Sequence, residues 1–431
     1  MTSATRVLLG LILGAVTGLL LGHYDAAAAA TASAVLQPLG RLWLNALQMT
    51  IVPLVVSLLI VSVNLTRDAA ASGRVARRAV AWFLVLLLGG AVFTALCAPA
   101  ALSLLPRDEA LIASLRAAMG TPAATAAPAG IADWFTNLVP TNAIAAAAQG
   151  AIVPLVVFTL LFAFALSRIE AARRQPVLVV FQAIADTMTV IVGWVLWAAP
   201  VGVFALILPV CAQAGGGMLQ ALGWYIALLC ALYVAAVLLL YGVVAVFGRD
   251  PLRRFIGAAA PAQAVAASTQ SSLASLPAML QSSQSRLGHP ATVSALVLPL
   301  AVSLFRITSP IQYIAVSAFI AWIYGVDISI AQWAFACGLA VIISMGSAGL
   351  PGQAIFMGTN LPVAHSLGLP IEPLALLLAV DMIPDVFATV GNVTADLAAT
   401  SVVAKGEDGD REAGDAGSDR EEAGNQVSQG S

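Results

Sequence analysis

Charge is scarce in this chain. Only 9% of its 431 residues are Asp, Glu, Lys or Arg, against about a quarter in an ordinary soluble domain. The charge is also uneven: eight of the 21 acids, but three of the 19 bases, fall after Ala404. The first 404 residues are therefore too poor in charge for a soluble globule, and no nucleic-acid partner is expected. Cysteine is nearly absent. Cys97, Cys211, Cys230 and Cys337 sit singly in apolar stretches, without metal or redox spacing, and read as packing residues. The three histidines, His23, His289 and His365, are scattered near predicted helix ends and form no relay or metal set. No nucleophile–base–acid constellation, phosphate loop or metal-ligand motif is present. An enzyme is not indicated, and no cofactor is expected.

Hydrophobicity is abundant, at 60% of residues. Apolar runs recur at roughly 6–23, 36–65, 77–105, 134–167, 175–212 and 218–248. Several exceed the roughly 20 residues that a bilayer needs, so tilts or kinks are expected, with Pro53 and Pro200 as the kink points. The first run, after Arg6, has the look of a signal peptide but is long enough to span, and it reads as a first transmembrane helix. The basic clusters are Arg67 to Arg78, Arg168 to Arg174 and Arg249 to Arg254, with Lys405 after the last span. They all fall on one side if both termini are cytoplasmic, which about eight crossings satisfy. The acidic segment 405–431 lacks apolar residues to bury and reads as a disordered cytoplasmic tail.

After residue 250 the pattern changes. PAQAVAASTQSSLASLPAML (261–280) and ISMGSAGLPGQAIFMGTN (343–360) have uncharged polar or Gly/Pro-rich tips between apolar arms. Such interrupted pairs point to a transporter binding site, since irregular backbone at membrane depth must face protein or a cavity. The alternative is a pair of ordinary loops. In the last span, about 370–403, Asp381, Asp385, Thr389, Asn392 and Asp396 fall within about 80° of one another at about 100° per residue. Carboxylates there need a partner or an aqueous cavity. Arg306, in LPLAVSLFRITSPIQY (298–313), is the candidate partner, either functionally or as an ion pair that only holds two helices together.

These residues resemble a known family. GNVTADLAATSVVAK (391–405), GSAGLPGQA (346–354), QSSLASLP (270–277), LVPTNAIAAAAQGAIVP (138–154) and APVGVFALI (199–207) are similar to blocks of the glutamate transporter homologues, the dicarboxylate/amino acid:cation symporters. The resemblance implies an all-α integral membrane protein with about eight transmembrane helices and two re-entrant hairpins. It implies one transporter domain over 1–404, with a scaffold at about 1–75 and 130–212 and a moving part at about 76–110 and 218–404. It further implies a homotrimer in a bacterial-type inner membrane, working as an elevator.

The same resemblance assigns site residues. Asp385 stands where the family binds a substrate's amino group, and Asn392 where an amide meets its carboxylate. Ser271 and Ser272 lie in the first hairpin tip, and Gly349, Pro351 and Gly352 in the second. Arg306, Ser309, Ala388 and Thr389 complete the substrate set. Ala301, Ser303, Ser344, Ser347, Asn392 and Asp396 are the candidate sodium ligands. Several positions depart from the family pattern. Ala388 replaces the arginine that grips an acidic side chain, and Gln270 occupies the hairpin position where some members keep that charge. Phe305, Arg306, Ile307, Thr308 and Ser309 replace an asparagine-x-aspartate-glycine-threonine stretch. Phe83, Leu86 and Leu87 replace hydroxyls that complete a buried cation site, so that site is expected to be lost. The implied function is a symporter for a small amino acid or dicarboxylate, coupled to sodium or protons, with a neutral amino acid favoured. Arg306 either stands in for a cation beside Asp396 or Asp385, or binds a substrate carboxylate. The alternative is an uncoupled facilitator or anion channel on the same scaffold.

Overall fold

An apolar surrounding leaves no water to satisfy the backbone, so a chain of this composition is expected to be helical. The computed structural model describes residues 3–71, 73–105, 139–149, 151–214, 216–347 and 352–429. No strand occurs among them. The helices are α1 (Ser3–Tyr24), α2 (Ala26–Gln48), α3 (Ile51–Ala71), α4 (Arg74–Ser103), α5 (Ala143–Ala148), α6 (Ile152–Leu166), α7 (Ala171–Trp197), α8 (Ala199–Ala214) and α9 (Gly216–Phe247). There follow α10 (Leu252–Thr269), α11 (Ser272–Gln281), a π-helical turn (Ser282–Leu287), α12 (Ala291–Leu304), α13 (Thr308–Tyr324), α14 (Ile330–Ser347), α15 (Gly352–Ser366), α16 (Pro373–Val380) and α17 (Met382–Gln429). Among the described residues, six helical stretches are long and apolar enough to cross a membrane: Ala26–Asp68, Arg74–Ser103, Ala171–Trp197, Leu219–Phe247, Ala291–Tyr324 and Met382–Glu407.

Two runs that the sequence suggests are single spans are each two helices. The run 36–65 breaks at Met49 and Thr50, and the run 175–212 breaks at Ala198. Pro53 and Pro200 lie just downstream of these breaks, in the first turns of α3 and α8. A proline is tolerated there because the first amides of a helix have no intrahelical acceptor. The prolines follow the breaks rather than kink a continuous helix.

Helix α1 carries Gly10, Gly14, Gly18 and Gly22 at four-residue spacing, and this stripe lies directly on the α8 backbone. A Cβ at Gly18 would sit 2.5 Å from the Leu208 carbonyl oxygen, and one at Gly14 would sit 3.0 Å from that of Phe204. Small residues at this spacing let two membrane helices approach to backbone contact.

The core is formed by α13 and α16, which are buried on almost every side, with α4, α9 and α17 around them. A helix apolar all round has no solvent face to offer. The last span is interrupted. Asp381 is a turn residue between α16 and α17, with its amide bonded to Leu378 O at 3.3 Å. Pro384 has no N–H to give to the Val380 carbonyl, which accounts for the break. The composition boundary at Ala404 does not coincide with the end of α17. Side chains are described as far as Glu407, which faces Arg74 (3.6 Å) and Arg78 (3.8 Å).

Candidate functional site

Two helical hairpins and two interrupted spans converge on one place. The first hairpin, α10–α11, turns at Gln270, the one non-glycine residue with positive φ among those described (φ 52°). Ser271 caps α11 by accepting from Ala274 N at 3.2 Å. Ser272 is the first residue of α11, half-buried at the tip. Gln270 Nε2 donates to Met382 O (3.4 Å), which ties this tip to the start of α17. The second hairpin is α14–α15. Ser344 Oγ donates to Arg306 O (3.0 Å), which ties it to the α12–α13 break. Gly349 and Pro351 lie outside the described residues, as do the side chain of Ser347 and the surroundings of Gly352, the first residue of α15.

The α12–α13 break at 305–307 exposes the first amides of α13, which have no partner in their own helix. Asn392 supplies one from across the interface. Its Oδ1 accepts from Thr308 N (3.1 Å) and Thr308 Oγ1 (2.9 Å). Asn392 Nδ2 is buried with no acceptor among the described residues, so it remains a donor. The capping role was not legible in the sequence, because the cap and the helix it caps are 84 residues apart.

Arg306 and Asp385 face each other, with Nη2 3.7 Å from Oδ1. They line a crevice of about 10 Å³ together with Ser309, Gln312, Thr359 and Ala388, roughly room for one water. The expected meeting of arginine and acidic stripe is therefore found, and Asp385 is the acid involved. Asp396 is different. It is 1% exposed, and neither carboxylate oxygen has a hydrogen-bond partner among the described residues. Thr389 turns its hydroxyl to Asp385 O on its own helix (2.8 Å). Asp381 Oδ1 accepts from Gln312 Nε2 at 2.7 Å.

The sodium candidates are not all gathered. Ser303 is exposed, with its hydroxyl bonded to Pro299 O in its own helix. The Ala301 carbonyl accepts from Phe305 N at 2.7 Å. Phe83 and Phe305 stack face to face, with centroids 4.7 Å apart and planes 6° apart. Both residues are at most 2% exposed, as is Leu87, and Leu86 is buried too. Two apolar rings thus fill the volume around the positions where hydroxyls and carboxamides would be needed for a cation. A larger cleft of about 600 Å³, lined by Trp322, Trp333 and Asp327, lies at the other end of α13 and includes none of these residues.

The model of the sodium:dicarboxylate symporter family matches residues 4–406. The chain belongs to that family. Among its relatives, the proton/glutamate-aspartate symporter of Escherichia coli K12 is 30% identical over 94% of this chain and 92% of its own length. The C4-dicarboxylate transport protein of Laribacter hongkongensis is 26% identical over 92% and 88%. The neutral amino acid transporter B(0) of Oryctolagus cuniculus is 28% identical over 83% and 71%. This symporter-family chain is thus a multi-pass membrane protein whose named relatives carry both charged and neutral substrates.

One buried cluster escaped sequence reasoning. His289, taken singly, looked isolated, yet its Nε2 lies 2.7 Å from Asp250 Oδ2 and its Nδ1 2.9 Å from Ser283 Oγ. Ser401 Oγ donates to the same Asp250 oxygen (2.6 Å) and accepts from Arg249 N (3.1 Å). Burial pushes the Asp250 carboxyl up. The hydrogen bonds from His289 and Ser401, and the charges of His289 and Arg249, outweigh burial and hold it below the usual carboxylate range. The cluster clasps the α9–α10 link, the end of the first hairpin and α17 together.

Proposed function

We propose that this chain is a secondary active symporter for a small amino acid or dicarboxylate, with a neutral amino acid as the favoured substrate. The crevice carries the proposal: Asp385 and Ala388 line it together, and Ala388 stands where the family resemblance implies an arginine for acidic substrates. Asp385 offers a carboxylate to an ammonium group, and Asn392 Nδ2 offers a free donor to a carboxylate. Ala388 presents only a methyl group to the side chain. Asp396, with two buried oxygens that have no partner among the described residues, suits a hard cation carried as co-substrate. The stacked Phe83–Phe305 pair argues against a second cation site there, so fewer ions are carried per cycle. The two hairpins supply gates for an elevator within a homotrimer, with both termini cytoplasmic in the inner membrane.

Proteoliposome uptake of radiolabelled L-serine, L-aspartate and succinate, under sodium or pH gradients, tests this reading. Accumulation of L-serine above equilibrium under either gradient supports it. Equilibration without accumulation would make the chain a facilitator. Preference for L-aspartate would give Arg306 the role of binding a side-chain carboxylate.

A further inference from the structure

Asp381 is left over from the site just described. It caps the wholly buried α16, is 1% exposed, and stands one helical turn before Asp385. Among the described residues its carboxyl has one hydrogen bond, from the neutral amide of Gln312 to Oδ1 (2.7 Å). The guanidinium of Arg306 is turned to Asp385, at 3.7 Å. Helix α9 adds Tyr225 and Tyr233, at most 1% exposed, whose hydroxyls have no partner among the described residues. Helix α16 contributes only apolar side chains. Among the described residues the cluster thus holds two acids, Asp381 itself and Asp385, with one guanidinium, one amide and two phenols.

If both acids were ionised, the cluster would hold one uncompensated negative charge away from water. A carboxylate has about four lone-pair sites to satisfy, and a buried charge without them costs several kcal/mol. A neutral carboxylic acid fits the same surroundings: Gln312 keeps Oδ1, and a proton on Oδ2 removes the uncompensated charge. The arrangement accommodates the acid and penalises its anion, and it sits one helical turn from Asp385, the carboxylate proposed to meet the substrate's ammonium group.

We infer that Asp381 is the proton-binding site of this carrier, taking up a proton as an O–H bond at Oδ2 from one side of the membrane and releasing it on the other. The inference rests on the symporter reading and names its coupling ion. With Arg306 beside Asp385, protonation of Asp381 leaves that pair neutral while the substrate site moves.

The test is pH-difference infrared spectroscopy of the full-length, lipid-reconstituted protein, which requires no substrate. Above about pH 6, where ordinary solvated carboxyls are ionised, a protonated-carboxyl band is expected in wild type, absent in Asp381→Asn and present in Asp385→Asn. In Gln312→Leu the band shifts, because the amide no longer bonds that group. A band that survives in Asp381→Asn overturns the inference. If that variant does not fold, an unshifted band in Gln312→Leu does the same. In proteoliposomes, one proton per substrate gives about tenfold accumulation per pH unit, tested with L-serine, L-aspartate and succinate. Asp381→Asn should show no pH-driven accumulation, and wild-type behaviour in that variant also overturns the inference. If wild type accumulates none of the three probes, the symporter reading fails, and the infrared band alone decides whether Asp381 holds a proton.

Discussion

Asp250 and Asp396 are both buried carboxylates, and their surroundings are opposite. Asp250 is bonded by His289 and Ser401, with Arg249 close by. Asp396 has neither oxygen satisfied among the described residues. A saturated polar network rigidifies the structure it joins, whereas a half-satisfied one is costly unless something else arrives. On the proposed function, the contrast separates fastening from cargo handling within one membrane domain, at sites that composition alone would class together.

The largest stability effect should come from the fastening site. Asp250→Ala leaves His289 and Ser401 facing a vacant acceptor, at a cost of about 3–5 kcal/mol, read from the melting temperature of purified protein. If Asp250→Ala melts with wild type, the clasp contributes nothing and the contrast fails. Next is Ala388→Arg, which restores a cation to the crevice. A charge-assisted pair is worth about 1.5–3 kcal/mol, so L-aspartate should gain roughly ten- to a hundredfold over L-serine in competition uptake. No gain would mean that Arg306 already governs side-chain selection. Gly14→Leu forces α1 off α8 and should cost about 1–3 kcal/mol by overpacking, visible as a lower melting temperature with substrate preference unchanged. The smallest effect is that of pH. Because the folded Asp250 carboxyl titrates below its unfolded range, its contribution is complete above about pH 4. It is lost as the pH falls through the folded value. The melting difference between wild type and Asp250→Asn should be flat near neutrality and narrow only in acid.

Much of the site was legible in the sequence because its signals are local. The acidic stripe repeats at helical spacing, the hairpin tips are polar between apolar arms, and Arg306 stands alone in an apolar run. The family blocks added the departures at Ala388 and Phe305, and the Phe83–Phe305 stack gives the second of them a physical form. What could not be read was long-range. Asn392 caps a helix 84 residues away, and His289 meets Asp250 and Ser283 only when three elements close. The α7–α8 break was marked by Pro200, but the proline sits after the break because the first turn of a helix tolerates it. The glycine stripe of α1 was open to reading at its four-residue spacing; only the helix it lies on was not.

The most direct test is the thermal stability of Asp396→Asn in sodium-free buffer, measured beside Asp250→Asn. An unpartnered buried charge contributes no stability of its own, so Asp396→Asn should melt at or above wild type and no longer gain stability from added sodium, while Asp250→Asn melts lower. If Asp396→Asn were destabilised as much as Asp250→Asn, its carboxylate would be part of the fastening, and the division between the two sites would be wrong.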